Sequence, residues 1–190
     1  GSLLTLNARS AVDIQFSNGQ RRVRLREGEL QVDVAADAKR PFVVVTDQGQ
    51  VQALGTRFMV RQGTGESLAS VQQHSVQLNT LGGQQRRVDT GQAVSFTSSQ
   101  IDPQTPTSRS QTDWVHGRVE LHDEPLSALV DALAPYQTGV LRISPEAARV
   151  RVFGVFPLDN TAQTLSALAQ TLPIKVTRYG PWLTLIDVNR

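Results

Sequence analysis

The sequence predicts a mainly β chain joined to a smaller α+β part, on three observations. Short runs alternating apolar and polar residues fill residues 3–100. A polar, Pro- and Ser/Thr-rich stretch follows. Beyond it an eight-residue leucine pattern occurs twice, each time with β-prone residues on both sides.

In the first part, Val12-Asp13-Ile14-Gln15-Phe16 has period two and stops at the turn signal Ser17-Asn18-Gly19. Val23-Arg24-Leu25-Arg26 alternates again as far as Glu27-Gly28, and Leu30, Val32 and Val34 share the next face. Further runs are 41–46, 51–60, 68–71, 76–78 and 93–96. None carries a 3.6-residue stripe, so residues 3–100 are expected as an all-β subdomain, solenoid- or sandwich-like and mostly antiparallel. Residues 101–112 read as a polar linker within a Ser/Thr/Pro-rich segment that starts at 97; it is either a hinge or a spacer.

From 113 to 190 the octet Leu126-Ser127-Ala128-Leu129-Val130-Asp131-Ala132-Leu133 returns as Leu165-Ser166-Ala167-Leu168-Ala169-Gln170-Thr171-Leu172. Leu at i, i+3 and i+7 marks one face of a short helix, and that face is expected to be buried. Pro135 and Pro173 stand where they would end the two helices. Val119–Leu121 and Val152–Phe156 precede the helices, Val140–Ile143 and Ile174–Thr177 follow them, and Trp182–Val188 supplies one more strand. The expectation is a duplicated βαβ unit, two helices on one small sheet.

Composition narrows function. The 190 residues carry no Cys, which removes disulfides, thiolate metal sites and Cys nucleophiles. The net charge is only +2, and a pI near 9.5 follows from having few groups that titrate between His and Arg, so it argues little for nucleic acid. No apolar run approaches the roughly 18–20 residues that cross a bilayer, and no signal peptide is visible. Gly1-Ser2 reads as a scar of tag removal.

No Gly-x-Ser-x-Gly elbow, P-loop or Gly-x-Gly-x-x-Gly occurs, and Gly82-Gly83 reads as a hairpin turn. The histidines are His74, His116 and His122. His116 and His122 would share a face if one strand held both, but no third metal ligand is evident. His122-Asp123-Glu124 places carboxylates beside an imidazole only in sequence. No enzyme activity, metal or cofactor is therefore expected. The cluster Arg21-Arg22-Val23-Arg24-Leu25-Arg26 reads as a solvated strand face with Glu27, Glu29 or Asp33 as partners, not as a nucleic-acid patch, since no aromatics interleave for stacking.

Arg40-Pro41-Phe42-Val43-Val44 leads to Val51-Gln52-Ala53-Leu54-Gly55-Thr56-Arg57-Phe58-Met59-Val60. This run resembles a signature of FecR-family proteins, transmembrane sigma-factor regulators (anti-sigma factors). Leu6-Asn7 with Ser10, then Arg22 to Leu30 and Val88 to Ala93, stand in the family's order. Trp114 with Gly117, ahead of Pro125-Leu126 and Tyr136, resembles the segment that opens the family's C-terminal part. The 113–190 half looks like an STN domain. The motif Gly55-Thr56 itself reads as structural, allowing a close backbone approach with Phe58 and Val60 in the core.

The resemblance implies the periplasmic part of a single-pass inner-membrane protein, with its membrane helix and cytoplasmic region outside this chain. It implies a receiver that binds the N-terminal signalling domain of an outer-membrane TonB-dependent siderophore transducer. The signal would then pass to an extracytoplasmic-function (ECF) sigma factor. A sheet edge in the STN-like half is the expected docking surface, with Val152, Phe153, Val155, Phe156, Trp182 and Leu183 as the expected interface residues. The competing readings are a periplasmic glycan- or peptidoglycan-binding β-module, for which only Trp114, Trp182, Tyr136 and Tyr179 offer aromatic surface, and a hydrolase on a β scaffold.

Overall fold

In the structure, a computed structural model that describes residues 1–108 and 111–189, the chain divides into two compact units, 1–107 and 108–190. The first is all β, the second α+β.

Unit one contains β1 (Leu3–Leu6), β2 (Ala11–Phe16), β3 (Arg21–Asp33), β4 (Phe42–Val45), β5 (Gly49–Ala53) and β6 (Arg57–Gln62). After them come β7 (Ser67–Gln73), β8 (Ser75–Thr80), β9 (Gln85–Asp89), β10 (Gln92–Phe96) and β11 (Thr105–Pro106). They form one eleven-stranded ladder in the order β11-β10-β7-β6-β3-β4-β5-β8-β9, with β1 and β2 also paired to β3. The ladder curls round one core, to which Val23, Leu25, Val44, Val51 and Leu78 contribute from one side and Leu30, Val32, Phe58, Val60, Val71 and Phe96 from the other. A curled sheet, not a stack of solenoid coils, is how the alternating runs are assembled.

The thirteen-residue β3 makes the curl. Residues 21–27 pair with β2 and, over 21–24, in parallel with β4; residues 28–33 pair with β6 and, over 30–33, with β1. Val23 and Leu25 are wholly buried, and so are Leu30 and Val32, five positions later where a straight strand would present its other face. The phase slips because the pairing passes from Val12↔Leu25 to Ala11↔Glu27, leaving Arg26 as the extra residue of a bulge. Gly28 follows at φ +84°, and a Cβ there would stand 2.2 Å from Ser10 Oγ and 2.8 Å from the Arg9 carbonyl oxygen. Only glycine meets both conditions cheaply.

Side chains fasten this corner. The Asn7 amide donates to Glu29 Oε2 at 2.9 Å, and the backbone N–H groups of Asn7 and Glu29 donate to Glu29 O and Ser10 Oγ, each at 2.9 Å. Arg24 and Arg26 project outward, but their partners are Asp47 (3.0 Å) and Asp13 (2.5 Å), not the neighbours expected from sequence. Asp33 instead pairs with Arg57, and Glu29 is buried in the corner. The Asp13 contact raises the Arg26 pKa above its usual value, so this exposed guanidinium stays charged.

Two other expectations change. The run 51–60 is two strands, broken at Leu54-Gly55-Thr56, where the Gly55 Cβ position lies 3.2 Å from Ala36 Cβ and the Thr56 hydroxyl donates to Ser75 O at 3.0 Å. The stretch assigned to the linker is largely part of unit one. Ile101 bridges to Phe96, the Asp102 N–H donates to Ser95 O (2.9 Å), β11 pairs with β10, and the Thr107 N–H donates to Gly91 O (2.8 Å). A segment with few apolar side chains is still held when its backbone completes a strand edge. Residues 109–110 of that stretch lie outside the described residues.

Unit two runs β12 (Arg118–Pro125), α1 (Leu126–Leu133), β13 (Val140–Ile143), α2 (Pro145–Ala148), β14 (Arg151–Pro157), α3 (Thr161–Thr171), β15 (Ile174–Tyr179) and β16 (Leu183–Val188). The duplicated strand–helix–strand order is present, but not as two helices on one sheet. The leading strands β12 and β14 pair antiparallel in a two-stranded sheet, and β13, β16 and β15 form a second sheet in that order. Strands flanking one helix thus belong to different sheets, and each long helix packs on one strand of each: α1 on β12 and β13, α3 on β14 and β15. The leucine stripe is buried, with Leu126, Leu129, Leu133 and Leu165 wholly so and Leu168 nearly so. Leu172 falls one residue past α3 and is half-buried. Asn160 caps α3 by accepting from the Gln163 N–H at 3.1 Å.

Two outcomes are expected of substitutions in these units. Gly28→Ala destabilises unit one by at least about 2 kcal/mol, since it adds both backbone strain and overlap, whereas Gly19→Ala, with open space around it, leaves the urea midpoint nearly unchanged. Leu129→Ala costs unit two about 2–5 kcal/mol through its cavity, read as a lowered melting temperature.

Candidate functional site

The two-stranded sheet of unit two has the one strand ladder β12–β14, so among the described residues β14 has no strand along its other edge. Alternation along β14 sends Val152 (2% exposed) into the core and turns Phe153 (75%) and Val155 (57%) outward. Val152, expected at an interface, is therefore a core residue: it shares its face with the half-buried Phe156. That ring lies back over Gly154, whose Cβ position is 3.2 Å from Phe156 Cζ. Gly154 has φ +146°, so a side chain there would meet both the ring and an unfavourable backbone.

On β12, Val119 and Leu121 point inward and His122 outward. His122 packs edge-on against Phe153, ring centres 5.2 Å apart, and its Nε2 lies 3.3 Å from Glu120 Oε1 two residues back on the same face. Asp123 adopts φ +55° as the extra residue of a bulge between His122 and Glu124, and pairs with Arg151 at 3.0 Å. The adjacent acids of His122-Asp123-Glu124 are thus turned away from the imidazole by the bulge. His116 lies in the one-turn 3-10 helix Asp113–His116 and not on the strand, so the two histidines do not share a strand face. His74 Nδ1 is 2.7 Å from the Gly55 carbonyl oxygen and holds the β5–β6 corner. Among the described residues no group of three or more His, Asp or Glu side chains is arranged to hold a metal.

Beside the free edge of β14 a groove of about 400 Å³ runs between its C-terminal end and α3. Val155, Phe156 and Pro157 form one wall; Ala167, Leu168 and Thr171 form the other. An unpaired backbone edge next to an apolar groove can add an extended segment by strand pairing, with alternate side chains entering the groove. The α3 wall was missed in the sequence. Its signal was the small residues Ala167 and Thr171, four apart beside the leucine stripe.

Trp182 and Leu183 do not join this site. They sit at the β15–β16 hairpin in the three-stranded sheet, where Trp182 is 75% exposed near the exposed Tyr179 and Val140. The Trp182 carbonyl accepts from the Val140 N–H at 2.8 Å, and Gly139 fits beneath it, since its Cβ position is 2.6 Å from Trp182 O. The structure therefore places Phe153 and Val155 on the outer face of β14 and Val155 and Phe156 in the groove wall, while the tryptophan belongs to the other sheet.

No curated protein matches the sequence. Two crystal structures of a candidate anti-sigma factor from Parabacteroides distasonis are similar in fold: one at TM-score 0.78 and 20% identity over 98% of this chain and 90% of the other, the second at 0.77 and 20% over 100% and 91%. Residues 1–77 match the family described as FecR protein, and this stretch contains both the Asn7–Ser10–Gly28–Glu29 corner and the Leu54-Gly55-Thr56 break. The match spans β1–β7 and the start of β8, so the first two-fifths of the chain is similar to the FecR family.

Proposed function

We propose that the chain is the signal-receiving module of a cell-surface-signalling sigma regulator, acting in the periplasm by binding and not by catalysis. Its partner is the N-terminal signalling domain of an outer-membrane TonB-dependent siderophore transducer. The signal passes to an ECF sigma factor through a cytoplasmic region beyond this chain. The observation that carries this reading is the unpaired β14 edge with Phe153 and Val155 exposed beside the α3 groove, in a chain whose residues 1–77 match the FecR family. In this reading unit two is an STN-like module. The fold shared with a candidate anti-sigma factor supports a regulatory role. No helix among the described residues is long and apolar enough to cross a membrane.

Binding acts as a signal only if the partner favours one state of the receiver over another. Titration calorimetry against the purified signalling domains of transducers from the same genome should give saturable one-to-one binding to one of them. Phe153→Asp should weaken that binding about 30-fold or more, the loss expected when a central apolar anchor is replaced by a charge, without lowering the melting temperature. Binding unchanged in Phe153→Asp would remove the edge as the site, and no binding to any transducer domain would remove the partner.

One observation favours a glycan instead: Trp182 and Tyr179 stand exposed at one hairpin. Peptidoglycan fragments that bind the wild type but not Trp182→Ala would establish that reading.

A further inference from the structure

Unit one holds a cavity of about 540 Å³ between the first strands and the 35–40 loop, with Leu4, Ile14, Phe16, Arg21, Asp37 and Phe42 in its wall. This volume lies within the range of small-molecule sites, roughly 300–1,000 Å³. Ile14 and Phe16 are 60% and 58% exposed, so their apolar faces are open to an occupant.

Arg21 is 7% exposed and forms no ion pair among the described residues. Its guanidinium donates to three neutral oxygens: Arg40 O (2.9 Å), Ser2 Oγ and Ala35 O (3.0 Å each). It also stands over the Phe42 ring, 5.6 Å from the centroid, and its buried Nη2 has no acceptor. A buried cation normally carries a counter-charge, because desolvation without one is expensive. The acid in the wall is already committed: Asp37 accepts from Arg40 Nε at 2.8 Å, and that contact holds its carboxyl below the usual range and ionised. The Arg21 charge is thus left without a counter-charge beside an apolar wall.

We propose that this cavity binds a single-chain amphiphile with an anionic head, the head placed by Arg21 and the chain lying against Ile14, Phe16 and Leu4. The guanidinium fork suits a carboxylate or a phosphate equally. The site is separate from the β14 edge and does not depend on the partner assigned there.

Calorimetry of the chain with decanoate, decyl phosphate, decanol and decyltrimethylammonium, each below its micelle concentration, tests the proposal. One or both anions should bind one-to-one, about tenfold or more tighter than decanol, the factor a charge-assisted contact supplies; which anion binds identifies the head. The cation should not bind. Arg21→Met should abolish the preference for the anion over decanol. Because Arg21 also ties the 35–40 loop to Ser2, Ile14→Glu provides the independent variant. It places a like charge in the apolar wall at a solvent-exposed position and should weaken anion binding at least about tenfold with the melting temperature unchanged. Decanol binding as tightly as the anions, equal binding of the cation, no saturable binding below about 1 mM, or undiminished binding by a folded Ile14→Glu would each overturn it.

Discussion

The bend in β3 is the constraint on which unit one depends. A single strand supplies ladder partners to both arms of the curled sheet, so its direction and phase must both change within a few residues. Arg26 shifts the phase by being the extra residue, and Gly28 changes the direction by a backbone conformation closed to other residues at that spacing. The buried Asn7 amide and Glu29 carboxylate then tie the first strand to the far side of the bend. Such a buried polar contact adds little net stability, but it is costly to break on one side, which makes the corner geometrically definite.

Legibility followed the range of the interactions concerned. Period-two runs at 12–16 and 23–26, and the leucine octets, identified strands and helices because each buries one face of a local element. Strand pairing is a long-range property, and here local reading failed: the octet strands suggested one sheet, while β12 and β14 pair with each other and leave β13 to β16. Strand β9 was invisible, because in Gln85-Arg86-Arg87-Val88-Asp89 only Val88 is buried and the strand is held by its backbone to β8. The stretch 101–107 escaped for the same reason. For the site, the sequence marked Val152 to Phe156 as important without saying which face was inward, and that face decides whether Val152 or Phe153 meets solvent.

In unit two both long helices contact strands of each sheet, so the apolar stripe alone cannot account for their burial. The α3 stripe includes Thr161 and Thr164 as well as Leu165 and Leu168. The Thr164 hydroxyl donates to Pro157 O at 3.4 Å, where the strand leads into the helix. The end of β14 and the first turns of α3 are therefore held as one piece, and the groove between them is defined by hydrogen bonding as well as by packing.

A strand edge left open has a second consequence. Backbone donors and acceptors do not distinguish one extended chain from another, so the β14 edge would template a second copy as readily as a foreign segment. Four features of the strand limit that hazard. It is only seven residues long, it ends in Pro157, which offers no N–H, and its first residue carries a charge held by Asp123. Gly154 at mid-strand lowers its propensity to extend an array. The result is an edge long enough to bind one segment and too short and irregular to seed a fibril.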